Sequence, residues 1–210
     1  MVVKAFTRQL GVRSYIIKGV RGRGGRVKQN LLQPLSSLDM VVYDNEKTDL
    51  NYIKELSLRR PVEEADPVAN ALRFFMTEVL YKTLRESEPM PALFDYVDAV
   101  DLQRNSSPHI PIQFLLTVAR HLGIEPLDNY SHRELYFDLQ EGRFVSAPTE
   151  TSLSQECSSL LHQYLSMETQ HVTSLQARRS LIDALLAYFQ LHLNGFGHFR
   201  SHEILHILLK

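Results

Sequence analysis

The residue pattern with the most specific chemistry lies near the carboxyl end, as His202-Glu203-x-x-His206. Two imidazoles one helical turn apart can hold zinc while the glutamate activates a bound water, as in zinc peptidases. A catalytic zinc needs a third protein ligand, and the nearest candidate, His198, precedes the predicted helix. The alternative is a terminal amphipathic helix whose Ile204, Leu205 and Leu208 pack inward while both imidazoles are partly exposed. We prefer this structural helix and keep a zinc metallopeptidase as the alternative function.

The single cysteine, Cys157, has a histidine five residues further on, His162. A thiol beside an imidazole can act as a nucleophile. Cys157 also lies on the apolar stripe of a predicted helix, where a thiol is usually an inert packing residue. A lone cysteine excludes an internal disulfide and any Cys-rich zinc site. We therefore expect a core residue and no structural zinc.

Two further patterns lack the spacing that their chemistry needs. The glycines at 19, 22, 24 and 25 fit neither G-x-G-x-x-G nor a phosphate-binding loop followed by Lys-Ser/Thr. Asp95, Asp98 and Asp101 are spaced three apart, and we interpret them as a solvated helix face rather than a metal site. The sequence therefore predicts no catalytic residues and no cofactor.

Charge is distributed very unevenly along the chain. Residues 1–38 contain eight basic and no acidic side chains, a charge of +8, whereas residues 39–210 carry 15 basic and 24 acidic residues, a charge of −9. The overall net charge of −1 conceals this difference. Such asymmetry favours a polyanion-binding module joined to an acidic body. The basic residues are Lys4, Arg8, Arg13, Lys18, Arg21, Arg23, Arg26 and Lys28.

The basic segment belongs to a region whose residue pattern predicts short strands. β-Branched and aromatic residues run from Val12 to Val20, Leu10-Gly11 suits a hairpin turn, and further strands are predicted at 38–43 and 52–58. The Arg/Gly run at 21–25 interrupts them as a loop. Phe6, Tyr15, Tyr43 and Tyr52 are candidate base-stacking side chains, although aromatic residues in strands are more often core.

A change of pattern near residue 61 predicts two domains, 1–61 and 62–210. Helical periodicity begins at Asp66-Pro67, and further helices are predicted from Pro91 and from Ser107-Pro108, the latter ending at Gly123. Residues 135–145 interrupt the helices with a small hairpin. Two possible capping boxes, Ser152-x-x-Gln155 and Thr173-x-x-Gln176, mark the next two helices, and a last one is predicted to start at Ser201.

The composition is that of a soluble chain, with 44% hydrophobic and 22% charged residues among 210. The sequence contains no continuous apolar run of the length that a membrane-spanning helix needs, and the amino terminus lacks the apolar core of a secretion signal. We expect a cytoplasmic protein without a membrane partner.

Segments spread along the chain resemble the RecO family of bacterial DNA repair and recombination mediators, in its Bacteroidetes form. Tyr-Ile-Ile-Lys-Gly-Val-Arg at 15–21 and Leu-Gln-Pro-Leu-Ser-Ser-Leu-Asp at 32–39 resemble a barrel strand with its basic loop and the strand that follows. The segments at 75–86, 91–95, 114–126 and 192–201 resemble successive helices and the final turn of the family.

The resemblance implies an α+β fold: a small N-terminal OB-fold-like β-barrel for nucleic acid, then an all-α helical domain with a small β-like excursion that binds partners. It implies a non-enzymatic, nucleoid-associated mediator that binds single- and double-stranded DNA, anneals complementary strands and, with RecR, helps load RecA. It also implies contact with the C-terminal tail of single-strand-binding protein, which we expect in the helical domain, near Arg120. Members of the family begin with a further strand, so we expect the barrel to lack its first strand.

The basic segment then supplies the predicted DNA contacts. Lys18, Arg21, Arg23, Arg26 and Lys28 are the main phosphate contacts, and Lys4, Arg8 and Arg13 are secondary ones. A third interpretation, a protein-interaction adaptor whose basic face meets an acidic partner, accounts for the same charges without DNA.

Overall fold

The computed structural model describes residues 1–18, 31–43, 51–60, 67–84, 88–100, 107–166 and 174–208. These residues fall into two compact units, Met1–Asp66 with Leu84–Arg104, and Pro67–Thr83 with Asn105–Lys210. Helix Pro91–Ala99 thus belongs to the same unit as the N-terminal strands. The division into domains at residue 61 stays a prediction from the sequence.

The first unit contains four described strands: β1 (Val2–Thr7), β2 (Gly11–Ile16), β3 (Leu38–Tyr43) and β4 (Asn51–Leu58). They form one sheet in the order β1-β2-β4-β3. β1 pairs antiparallel with β2, β2 parallel with β4, and β3 antiparallel with β4. Among the described strands, β1 and β3 lie at the two edges, so the barrel is not closed. The α+β class is confirmed.

The hairpin between β1 and β2 depends on a glycine, as the Leu10-Gly11 break predicts. Gly11 has a φ of +67°, and a Cβ there would collide with the backbone of Glu88. The Thr7 hydroxyl donates to the Gly11 carbonyl at 2.8 Å and accepts from the Leu10 amide at 3.1 Å. Any larger side chain at residue 11 would strain the turn.

The first helix along the chain, α1 (Pro67–Thr83), belongs to the second unit, and the next, α2 (Pro91–Ala99), belongs to the first unit. The second unit also contains α3 (Ile110–His121), α4 (Gln155–Leu165), α5 (Leu175–His192) and α6 (Ser201–Leu208). The small hairpin β5 (Tyr136–Asp138) and β6 (Arg143–Val145) lies between α3 and α4. In the described residues no helix has the length and hydropathy to cross a bilayer.

Apolar periodicity correctly predicted these helices, but three of their starts differ from the prediction. α3 begins at Ile110 rather than at Ser107. Both predicted capping boxes are wrong, because Ser154 caps α4 by accepting from the Cys157 amide, and Ser174 caps α5 by accepting from the Ala177 amide. Several hydroxyl residues precede each helix, so local sequence offers more than one possible cap. Thr173 itself lies outside the described residues.

A buried carboxylate organises the chain around β5 and β6. Asp138 is 2% exposed and accepts from the backbone amides of Gln140 at 2.9 Å and Glu141 at 2.8 Å. It also accepts from the hydroxyls of Thr149 and Thr151. Burial alone would raise the Asp138 pKa, but these hydrogen bonds, led by that from Thr149, outweigh burial and hold the pKa below its usual 3.8.

Asp138→Asn is expected to lower the free energy of unfolding by ~1–3 kcal/mol at neutral pH, because an amide cannot replace the charged acceptor. Urea unfolding of the purified protein measures the change. Glu150→Gln, at an exposed carboxyl on the same segment, is the matched control and should leave stability unchanged.

The same carboxylate predicts a pH dependence. A depressed folded-state pKa contributes stability above the unfolded value of 3.8 and loses that contribution as the pH falls through the folded pKa. The difference in stability between the unaltered protein and Asp138→Asn should therefore shrink as the pH is lowered below 3.8. A difference that stays constant with pH would contradict this role.

Candidate nucleic-acid interface

Strand register divides the predicted cations of the hairpin between two faces of the sheet. Lys4 of β1 lies opposite Ser14, and the neighbouring pair is Ala5 with Arg13 of β2. Because successive side chains in a strand point to opposite faces, Lys4 and Arg13 lie on different faces. The Arg13 face is also that of Tyr15, which is buried. The structure therefore does not bring these two secondary cations together.

Arg8, in the turn of the hairpin, forms a bidentate ion pair with Asp95 of α2. Its Nε and a terminal nitrogen donate to the two carboxylate oxygens at 2.8 and 3.0 Å. The hydrogen bond that Arg8 donates to Asp95 holds the Asp95 pKa below its usual range, and the same bond raises the pKa of Arg8. Both side chains are about half exposed to solvent. A DNA phosphate would have to replace this carboxylate to reach Arg8.

Asp98, one turn further along α2, is the second counter-charge in this unit. Its carboxylate accepts from the Ser37 hydroxyl at 2.8 Å, Arg59 at 3.3 Å and Arg60 at 3.0 Å. Only 14% of the Asp98 side chain is exposed. The interpretation as a solvated face holds for the half-exposed Asp95 and is wrong for Asp98, which is mostly covered. Both carboxylates balance arginines that are distant in sequence. Asp101 lies outside the described residues.

The four candidate stacking residues have different environments. Tyr15 is buried, and Phe6 packs edge-on against Phe94 with ring centroids 5.6 Å apart, so neither offers a free ring face to a base. Tyr43 and Tyr52 are exposed. The Lys18 ammonium lies 4.2 Å from the centroid of the Tyr52 ring. Lys18 is therefore a predicted cation that the structure places beside an exposed aromatic ring.

The remaining main contacts, Arg21, Arg23, Arg26 and Lys28, lie outside the described residues. Their part in DNA binding stays a prediction from the sequence.

The zinc-peptidase motif lies on α6, where the structure gives its residues structural partners. Glu78 accepts from the backbone amides of Arg200 and Ser201 at the start of α6. Leu205 is fully buried, as predicted, but Ile204 is 55% exposed, so its predicted inward packing is wrong. The Nε2 atoms of His202 and His206 lie 3.9 and 3.5 Å from one Asp183 oxygen. In the described part of the chain no group of three His, Cys, Asp or Glu side chains is arranged to hold a metal ion.

The His206 environment also disfavours a cation. Burial is the main cause of its lowered pKa, and the neighbouring charges of His202 and Arg179 act in the same direction, against the attraction of Asp183. Arg179 donates a hydrogen bond to the His206 carbonyl, and its positive charge would repel a metal ion bound at His206.

Cys157 and His162 do not form a nucleophilic pair. Cys157 is buried, and burial, with a smaller contribution from Glu156, raises the pKa of its thiol to about 11. His162 instead bonds to Asp128 through Nδ1 at 2.8 Å and stacks on Tyr130. The thiol is therefore protonated at neutral pH and serves as a packing residue, as predicted.

Arg120, suggested as part of a site for an acidic tail, already has an acidic partner. Its guanidinium bonds to the Glu125 carboxylate at 2.6 and 2.8 Å. This hydrogen bond raises the Arg120 pKa. An acidic peptide would compete with Glu125 for Arg120.

Comparison with known proteins agrees with a basic N-terminal sheet followed by helices. The profile of the family "Recombination protein O N terminal" matches residues 1–62. Two relatives, both named DNA repair protein RecO, are those of Flavobacterium johnsoniae and Phocaeicola vulgatus, 28% and 29% identical over 98% and 97% of this chain and 90% of each relative. The RecO of Azobacteroides pseudotrichonymphae is 24% identical over 98% of this chain and 90% of its own length.

These matches agree with the α+β fold and with the N-terminal sheet described above. The chain is therefore similar to proteins of the RecO family along nearly its whole length, and the resemblance found in the sequence is confirmed.

Purified protein is expected to carry no zinc that depends on His202, because the two imidazoles of the motif face Asp183 and a nearby arginine. Metal analysis of the unaltered protein and of His202→Ala tests this, with His132→Ala, at an exposed histidine, as the control. Stoichiometric zinc that is lost only in His202→Ala would restore the peptidase interpretation.

Proposed function

We propose that this protein is a DNA repair and homologous recombination mediator that binds single- and double-stranded DNA and promotes annealing of complementary single strands. With RecR, it helps to load RecA onto strands covered by single-strand-binding protein. One observation carries the proposal: the segment of charge +8, residues 1–38, lies within the region that the RecO N-terminal profile matches.

Annealing has a simple electrostatic basis. Two complementary strands repel each other through their phosphates, and a cationic surface that neutralises both lowers this repulsion and raises their rate of encounter. Base pairing then selects the correct partner without any sequence-specific contact from the protein. No bond is made or broken, so the proposed mediator needs neither a catalytic residue nor a cofactor.

The carboxylates of Asp95 and Asp98 on α2 would compete with DNA phosphates for the arginines that they pair with. Arg8 is held by an exposed carboxylate, whereas Arg59 and Arg60 converge on the more covered Asp98. An exposed pair is weakened by salt and exchanges readily, so phosphate can displace Asp95 from Arg8 more easily than it can displace Asp98 from its arginines. In the free protein we assign Arg8 a latent role and Lys18 a direct one.

The partner assignments follow from the family. RecR and the C-terminal tail of single-strand-binding protein are the proposed protein partners, and the cytoplasm, in association with the nucleoid, is the proposed location. The tail is acidic, so its binding site must supply cations. If Arg120 is one of them, a carboxylate of the tail would replace Glu125 as its partner.

Replacing Arg21, Arg23 and Arg26 together by Ala is expected to weaken DNA binding and flatten its salt dependence by ~0.7–0.9 log units per lost contact, because each neutralised phosphate releases counterions. Anisotropy titrations of labelled single-stranded DNA at several salt concentrations measure the slope. Arg8→Ala, which removes a cation already paired with Asp95, is the control and should change the slope less.

Two results would contradict this assignment. An unchanged slope in the triple variant would exclude these arginines as phosphate contacts. A complete lack of DNA affinity at moderate salt in the unaltered protein would favour the adaptor interpretation, in which an acidic protein occupies the basic face.

Asp95→Asn is expected to tighten DNA binding severalfold and to steepen the salt slope by ~0.7–0.9, because Arg8 then becomes available for one more phosphate contact. Asp39→Asn removes the same charge from an exposed position on β3 and is the matched control. Adding Arg8→Ala to Asp95→Asn should return the slope to its original value. Equal steepening in both single variants would show a general charge effect and no release of Arg8.

A further inference from the structure

The exposed tyrosines of the N-terminal sheet lie directly opposite each other. Tyr43, the last residue of β3, is the register partner of Tyr52 in β4. Opposed residues of antiparallel strands place their side chains side by side on one face. The two side chains are 59% and 40% exposed. They therefore present two exposed aromatic rings on one face, at one end of the sheet.

Two tyrosines of the second unit are, by contrast, covered and bonded. Tyr164 is buried with its hydroxyl 2.6 Å from His109, and Tyr188 is buried and donates to the Ile124 carbonyl at 2.9 Å. Such environments explain a tyrosine by packing. The pair on β3 and β4 does not have this explanation.

The environment of the pair suits a nucleic acid. Lys18 lies 4.2 Å from the Tyr52 centroid, within the range of a cation–π contact, and brings a positive charge to the rim of the rings. Lys4 pairs with Ser14, and Ile16, two residues further along β2 on the same face, pairs with Tyr52. Lys4 therefore lies on the same face of the sheet as Tyr52. The nearest described carboxylate in sequence, Glu55, is balanced by Lys54 at 3.6 Å. Aromatic rings flanked by lysines are the elements of a single-strand groove.

A bulge in β3–β4 supports this arrangement. The register shifts between Val41 and Val42, just before the tyrosine pair. Bulges increase local strand twist and turn side chains away from the regular pleat. The tyrosine pair therefore lies directly beyond this irregularity of the ladder.

We propose that Tyr43 and Tyr52, with Lys18, form a base-stacking step that makes this protein prefer single-stranded DNA over duplex. The inference rests on the proposed DNA-binding function and specifies its substrate. Bases in a duplex stack on one another, so their faces are hidden, whereas a single strand can place successive bases on the two rings. Phosphate contacts by the lysines serve both kinds of DNA, and stacking distinguishes between them.

The test compares three labelled probes of equal length: oligo(dT), an abasic single strand, and a duplex. Tyr43→Leu/Tyr52→Leu is expected to bind oligo(dT) at least about tenfold more weakly than the unaltered protein, because two stacking contacts are lost. Affinity for the abasic strand and the duplex, which offer no free base faces, should stay the same, as should the salt slope. Retained duplex binding also shows that the variant is folded.

Two control variants separate stacking from other effects. Tyr43→Phe/Tyr52→Phe keeps the rings and should keep the preference for oligo(dT). Tyr81→Leu removes a tyrosine that is 64% exposed on α1, outside this sheet, and should change nothing.

The outcomes also distinguish this inference from the proposed function. No loss on oligo(dT), or an equal loss on all three probes, overturns the stacking step while DNA binding stands. Failure of the unaltered protein to bind any probe overturns the DNA-binding function and the stacking step together.

Discussion

The fold of the N-terminal unit must accommodate the unbalanced positive charge of residues 1–38. Eight cations precede the first acidic residue, so none can be neutralised by its own segment. A charged group is stable in a fold only when it is solvated or paired. The structure pairs one of them, Arg8, with a carboxylate 87 residues away, and places another, Lys18, against an exposed ring.

Helix α2 supplies counter-charge to three arginines of this unit. Its carboxylates, one turn apart, neutralise arginines from the hairpin turn and from the end of β4, and Phe94 packs on Phe6 beside them. The same arginine–carboxylate chemistry that orders the unit resembles arginine–phosphate chemistry in charge and geometry. In the proposed function, the Asp95 carboxylate and DNA phosphate therefore compete for Arg8, and the exposure of Asp95 decides how easily phosphate replaces it.

The helical unit shows how residues with catalytic potential can be used for structure. His202, His206 and Cys157 belong to patterns that enzymes use, yet the histidines face a carboxylate and the thiol is buried with a raised pKa. Asp138 likewise serves as a hydrogen-bond acceptor for two threonines and two amides. Motifs of two or three residues become catalytic only where a cleft, a third ligand or an activated partner is also present.

Sequence alone determined the types of element, their approximate limits, the location of positive charge and the resemblance to the family, because periodicity, turn residues and composition are local properties. It did not determine the cap of α4, where neighbouring serines compete. It also did not separate Tyr15 from Tyr52, since both lie in strands and differ only in what covers their faces. Those outcomes, like the pairing of Arg8 with Asp95, depend on strand register and on contacts between distant segments. Only the tertiary structure decides them, because no interaction within a few residues distinguishes a covered face from an exposed one.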